Sequence, residues 1–301
     1  MLKLVILIIY FAVLIGIGLY CRKHATDVNG FVLGGRSVGP WLTAFAYGTS
    51  YFSAVVFVGY AGQFGWKYGI AATWAGIGNA IIGSLLAWVV LGRRTRIMSQ
   101  HLDSATMPQY FGKRFGSNPL KIGASVIIFI FLIPYTASLY NGLSRLFGMA
   151  FNIDYSVCII IMATLTAIYV IAGGYMATAI NDFIQGIIML FGIVAVIAAV
   201  IHSKGGFMSA LQGLANVSDP AVSDTPGIFA SFFGPDPFNL LCVVILTSLG
   251  TWGLPQMVQK FYAIDNEASI QKGTVISTIF ALIVSGGCYF LGGFGRLFSD
   301  Q

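Results

Sequence analysis

The sequence predicts an all-α membrane protein, and three observations carry that expectation. Of 301 residues, 57% are hydrophobic and only 9% are charged. Mean hydropathy is +0.85, and the apolar residues gather into runs of about 20, the length needed to cross a ~30 Å hydrocarbon core. So little polar surface cannot coat a soluble globule of this size, so lipid is the solvent for most side chains. Lipid offers backbone N–H and C=O groups no partner, which leaves helices or closed barrels. Long uninterrupted runs, rather than ten-residue alternation, select helices.

Eight runs fit this description, near residues 2–20, 40–62, 70–92, 121–148, 155–173, 181–202, 237–259 and 273–295. The first follows Lys3 as a signal peptide would. It is long, however, lacks a small-residue cleavage pattern before Cys21-Arg22-Lys23, and reads as a retained helix. Loops 21–39, 93–121 and 260–272 hold Arg22, Lys23, Arg36, Arg93, Arg94, Arg96, Lys113, Arg114, Lys121, Lys260 and Lys272, most of the chain's 16 basic residues. The positive-inside rule makes these loops cytoplasmic and puts the N-terminus outside, in a cell membrane. The net charge of +6 therefore reports orientation and no nucleic-acid partner. Loop 203–236, rich in glycine, proline and aspartate, is the sizeable extracellular segment, with a short helix expected around 208–214.

The 37 glycines suit close helix packing, notably Gly76, Gly78 and Gly83 in the third span and Gly286, Gly287, Gly292 and Gly293 in the eighth. Four scattered cysteines and three histidines at segment ends form no metal or nucleophile motif, so an enzyme is disfavoured.

Membrane binding sites tend to form where two helices in corresponding positions are interrupted at the bilayer midplane. The second span has polar residues at its centre, in Tyr47-Gly48-Thr49-Ser50-Tyr51-Phe52-Ser53. A break there frees carbonyls of residues 49–52 for a hard cation; alternatively, the hydroxyls back-bond within an intact helix. The seventh span reads Thr247-Ser248-Leu249-Gly250-Thr251-Trp252-Gly253-Leu254-Pro255-Gln256, and its two glycines and proline interrupt a helix more forcefully. It lies five spans after the first polar-centred helix, as a five-plus-five inverted repeat requires. Asp182 is the one acid inside a predicted span, either a functional carboxylate or a cap at the helix start. Arg145 reads either as snorkelling to the interface or as meeting an anionic solute. Tyr135, Tyr140 and Asn141 on the same helix either face the cavity or hold helices together.

With these motifs the chain resembles the sodium:solute symporter family, whose members carry proline, pantothenate, sialic acid and sugars. The resemblance runs from Leu33-Gly34-Gly35-Arg36-Ser37 through Ala172-Gly173-Gly174-Tyr175 and Asn181-Asp182-Phe183-Ile184-Gln185 to Trp252-Gly253-Leu254-Pro255-Gln256. It implies a leucine-transporter-type inverted-repeat fold, truncated, with about eight transmembrane helices in one transmembrane domain spanning 1–301. Residues 1–36 would be an extra helix and cytoplasmic loop, 37–202 the first five-helix repeat, 203–236 the extracellular loop, and 237–301 the first two helices of the second repeat.

The implied activity is import of a small polar solute driven by Na+ through alternating access. Partners would be the solute, sodium and the lipid bilayer. The resemblance assigns sodium to backbone oxygens of Thr49 and Phe52, with remaining ligands beyond Gln301, and a second sodium or a coupling role to Asp182. Ser50, Tyr51, Ser53, Thr247, Thr251, Trp252, Pro255 and Gln256 fall where solute contacts are expected. Proline-transporting members have an acid where this chain has Tyr51, and aromatics where it has Thr247 and Thr251, which points away from proline. The stretch 59–69 is closer to pantothenate-type or uncharacterised members, which points to an organic acid or similar small solute. The same fold also serves as the input domain of sensor kinases, an alternative that a signalling domain after the last span would reveal. Ending at Gln301, the chain is expected to be a fragment that does not transport alone.

Overall fold

The computed structural model describes residues 2–53 and 55–298. Among these, regular structure is helical and no strand forms. In chain order the helices are α1 (Leu2–Cys21), α2 (Val28–Leu33), α3 (Pro40–Tyr51), α4 (Ala61–Tyr68), α5 (Thr73–Gly78), α6 (Arg93–His101), α7 (Met107–Phe115), α8 (Asn118–Phe151), α9 (Tyr155–Ser203), α10 (Phe207–Ala215), α11 (Pro237–Leu249), α12 (Pro255–Ala263) and α13 (Glu267–Gly293). Long apolar helices carry large side chains outward, including Phe129 and Phe131 of α8, Ile171 and Phe191 of α9, and Phe238 and Leu246 of α11. Water would penalise so much outward apolar area, whereas hydrocarbon does not. Four described helical runs have the length and hydropathy to span a bilayer: Ala61–His101, α8, α9 and α13. The remaining predicted spans are α1 and the two segments built around α3 and α11.

Two predicted loops prove to be single-residue breaks. The sequence separates spans 155–173 and 181–202, but helix resumes at once after Gly174, whose φ of 57° and ψ of −149° turn the chain within α9. A Cβ there would lie 2.7 Å from the Phe31 carbonyl oxygen, so the turn requires glycine on steric as well as conformational grounds. Asp182 consequently sits two turns inside a helix rather than at its cap. Similarly, Gly69, with φ 62° and ψ −144°, ends α4 and redirects the chain into the third predicted span. The short helix expected at 208–214 is α10.

The chain divides into two compact units. One comprises 1–50, 88–185 and 253–273; the other comprises 51–87, 186–252 and 274–301. The chain passes between them five times, at 50/51, 87/88, 185/186, 252/253 and 273/274, and two of these passages fall in the segments whose sequence suggests interruption.

The first unit gathers the three basic loops assigned to one membrane side. Gly34, Gly35 and Arg36 all have positive φ, forming the tight turn for which the Gly-Gly pair is suited. That turn sends the Arg36 guanidinium to the Ser99 carbonyl and hydroxyl, the Ser104 carbonyl and the Tyr262 carbonyl at 2.9–3.4 Å. Burial lowers the pKa of Arg36, while Asp103 and Tyr262 oppose the shift. Arg96 donates to the carbonyls of Ile264 at 2.6 Å and Asp265 at 3.0 Å. Val38 pairs with the same stretch, donating to the Ala263 carbonyl and accepting from Asp265 N–H. An apolar cluster of Leu33, Val38, Ala105, Tyr175, Ala179, Val258, Tyr262 and Ala263 fills the space behind these bonds.

The second unit is packed through small residues, as the glycine pattern suggested. Cβ atoms added at Gly65 and Gly292 would collide with the Gly292 and Ala61 backbones respectively, and one at Gly76 would lie 2.6 Å from Gly286 Cα. Such backbone contact is what glycine in membrane helices permits. Loop 203–236 is pinned here: Arg296 donates to the Trp66 carbonyl at 2.6 Å and to Asp219 at 3.0 Å, and lies over the rings of Trp66 and Phe229. Phe229 packs with Ala210, Leu214 and Phe294.

Candidate functional site

Both polar-centred segments are broken. α3 stops at Tyr51, so the carbonyls of its last turn, residues 48–51, have no partner within the helix. Phe52 and Ser53 are irregular, and the chain recovers through π-helical turns at Val55–Tyr60, with Val56 N–H donating to the Ser53 carbonyl at 2.9 Å. No glycine or proline falls between Thr49 and Ser53. The other break has local causes: α11 ends at Leu249, residues 250–253 turn, Leu254 is extended, and Pro255 occupies the first turn of α12. Proline suits that position because its missing N–H would lack a helical partner there anyway.

In the first unit, the functional groups converge on Asp182. Its Oδ2 lies 3.7 Å from Lys260 Nζ, with the two side chains 22% and 8% exposed. This exceeds the ~2.8 Å of a charge-assisted hydrogen bond, so the pair is held electrostatically. Lys260 also sits over the Tyr175 ring, 5.0 Å from its centroid. Tyr175 and Asp182 are seven residues apart on α9, two helical turns, and therefore share a face. The Thr49 hydroxyl lies near the Asp182 carboxyl group but donates its proton to the Phe45 carbonyl at 2.9 Å. One turn before Lys260 on α12, the Gln256 amide has both polar atoms buried, with no hydrogen-bond partner among the described residues. Ser50 is half-buried in this unit.

In the second unit, a neutral network centres on Asn79, which is 1% exposed. Its Oδ1 accepts from Thr247 Oγ1 at 3.0 Å, Ser248 Oγ at 3.1 Å and Tyr51 Oη at 3.3 Å, and its Nδ2 donates to Ser285 Oγ at 3.3 Å. The Tyr51 hydroxyl lies closer to the Thr247 carbonyl, at 2.9 Å, and that is the stronger use of its one proton. Room for this ring exists because residue 83 is glycine: a Cβ there would collide with the Tyr51 hydroxyl. Trp252 Nε1 donates to the Ile82 carbonyl at 3.0 Å, and Thr251 Oγ1 to the Ser248 carbonyl at 3.0 Å, so the turn after α11 is tied at both residues. Phe52 stacks on Tyr51 at 4.5 Å between centroids.

The structure thus joins Tyr51 with Thr247 and keeps the Thr49 hydroxyl bonded to its own helix, near Asp182. It places Pro255 and Gln256 on α12 with Lys260, and Thr251, Trp252, Phe52 and Ser53 in the second unit. Arg145 is exposed and donates to Asn141 Oδ1 at 3.0 Å. Two participants were missed by sequence reasoning. Lys260 was assigned to a basic loop, yet it is buried on α12, because Pro255 restarts the helix and carries position 260 inward. Asn79 offered a signal that went unused: an amide amid apolar residues, which in lipid must find partners.

Among known proteins, residues 31–298 match the family model described as the sodium:solute symporter family. The osmoregulated proline transporter OpuE of Bacillus subtilis is 30% identical over 296 residues, 97% of this chain and 58% of that protein. The sodium/proline symporter of Staphylococcus aureus is 32% identical over 282 residues, 89% of this chain and 51% of that one. The chain therefore spans somewhat more than half the length of these relatives. A solved structure of a Na+-coupled sialic acid symporter, in a substrate-bound outward-open state, superposes with a TM-score of 0.77 at 17% identity, covering 100% of this chain and 62% of its own. That likeness establishes the fold: an all-α membrane protein of the leucine-transporter type.

Proposed function

Given that this chain belongs to the sodium:solute symporter family, we propose that it binds sodium and solute in a secondary transporter that imports a small polar organic solute by alternating access. The observation that carries the reading is the family match over 31–298, which includes both interrupted segments. A break within a membrane helix exposes peptide oxygens, and peptide oxygens are the natural ligands of a hard monovalent cation. The proposed sodium ligands are the backbone oxygens of Thr49 and Phe52, where α3 stops. Sodium there would favour one conformation and raise solute affinity, and by linkage the solute would raise sodium affinity equally.

For the solute we propose Ser50, Tyr51, Ser53, Thr247, Thr251, Trp252, Pro255 and Gln256 as contact candidates, with Asn79 positioning Tyr51 and Thr247. Residues 37–202 would be the first five-helix repeat and 237–301 the start of the second, in a cell membrane with the N-terminus outside. Because the named relatives carry proline, amino acids of that size are the first class to test, followed by small organic acids. Those relatives are transporters, which favours transport over the sensor-input reading. The test is uptake of radiolabelled solutes by cells or vesicles containing the full-length protein. Uptake should require sodium; uptake that persists when potassium replaces sodium would overturn the proposal.

A further inference from the structure

We propose that Lys260 is the standing counter-cation of Asp182, so that this acid takes no sodium ion. This rests on the sodium-coupled reading above but departs from the expectation that Asp182 holds a second sodium. The ammonium lies 3.7 Å from the carboxylate with its side chain 8% exposed, and the Tyr175 ring lies beneath it at 5.0 Å. The charge is thus built in on two sides, by an acid and by an aromatic face that attracts cations.

The five other acids of the same unit lie elsewhere: Asp27 accepts from Gly30 N–H, Asp154 from Ser156 N–H and Asp265 from Asn266 N–H, Glu267 pairs with Arg93 at 2.6 Å, and Asp103 acts through its charge on Arg36. Among the described residues, no second acid lies within ion-pairing distance of Lys260. A sodium ion arriving at Asp182 would meet a second positive charge a few ångström away in surroundings of low polarity, where like charges repel strongly. Displacing Lys260 instead would strand a buried ammonium with no replacement partner. Lys260 is therefore a positioning residue: it neutralises Asp182 and leaves sodium to the backbone oxygens at Thr49 and Phe52.

The experiment measures equilibrium binding of radiolabelled sodium, and sodium-dependent thermal stabilisation, on the purified full-length protein, with potassium as control. Lys260→Gln leaves the carboxylate without its cation and should add one sodium ion per protein. The double variant Asp182→Asn with Lys260→Met removes both charges and should keep the wild-type number of ions, with affinity within about threefold. Loss of a sodium ion from the folded double variant would overturn the assignment, as would a Lys260→Gln protein that binds no more sodium than wild type. Should Lys260→Gln not fold, the double variant alone decides. A wild-type protein indifferent to sodium would instead remove the sodium-coupled reading, and this inference with it.

Discussion

The Asp182–Lys260 pair and the Asn79 network meet the same demand by different means. Each brings polar groups together in a chain surrounded by hydrocarbon, where an unpaired polar group is expensive. The first unit uses one acid and one base 3.7 Å apart, supported by one ring. The second uses one amide and four hydroxyls, with several short hydrogen bonds and no charge. A charged pair concentrates its energy in two residues, and removing either leaves the other buried and uncompensated. A neutral network spreads its energy over many weak bonds, so each loss is smaller and partly absorbed by remaining partners.

Mutation should expose that difference. Asp182→Ala or Lys260→Ala should lower stability by about 3–5 kcal/mol, seen as a large fall in melting temperature in detergent, whereas the doubly neutral variant should recover most of it. Additive losses in the double variant would show that the pair does not interact. Asn79→Ala should cost about 1–3 kcal/mol in the same assay, because Thr247 still has the Val243 carbonyl at 2.9 Å while Ser248 and Ser285 lose their shared partner. A loss as large as that for Lys260→Ala would erase the contrast between the two regions. Gly83→Ala should displace the Tyr51 ring at about 1–3 kcal/mol, checked by thermal denaturation together with solute affinity, both of which should fall. The smallest effect is expected from Tyr51→Phe, about 0.5–1.5 kcal/mol, since one hydroxyl bond to the Thr247 carbonyl is lost and the stacking on Phe52 remains. Unchanged solute affinity in that variant would argue against Tyr51 as a solute contact.

The two breaks differ in how legible they were. Gly250, Gly253 and Pro255 interrupt a helix through local chemistry, and the structure turns at 250–254 accordingly. The first break contains no such residue, yet α3 stops at Tyr51. Its polar centre hinted at interruption, but hydroxyls are equally at home in an intact membrane helix, as Thr49 shows by back-bonding to Phe45. Asp182 was visible as an acid among apolar residues. Lys260 was hidden by the same rule that oriented the chain, since a base near a span end ordinarily points to water.

By itself, the sequence determined that this chain is helical and lives in lipid, because hydrophobic content and run length are additive properties of composition. It also determined that Gly250, Gly253 and Pro255 interrupt a span, since that turn follows from backbone geometry within a few residues. Only the tertiary structure decided that Lys260 answers Asp182 and that Asn79 gathers Tyr51, Thr247, Ser248 and Ser285. These partners lie up to about two hundred residues apart in the chain, and packing alone selects which polar groups meet once each must find a partner away from water.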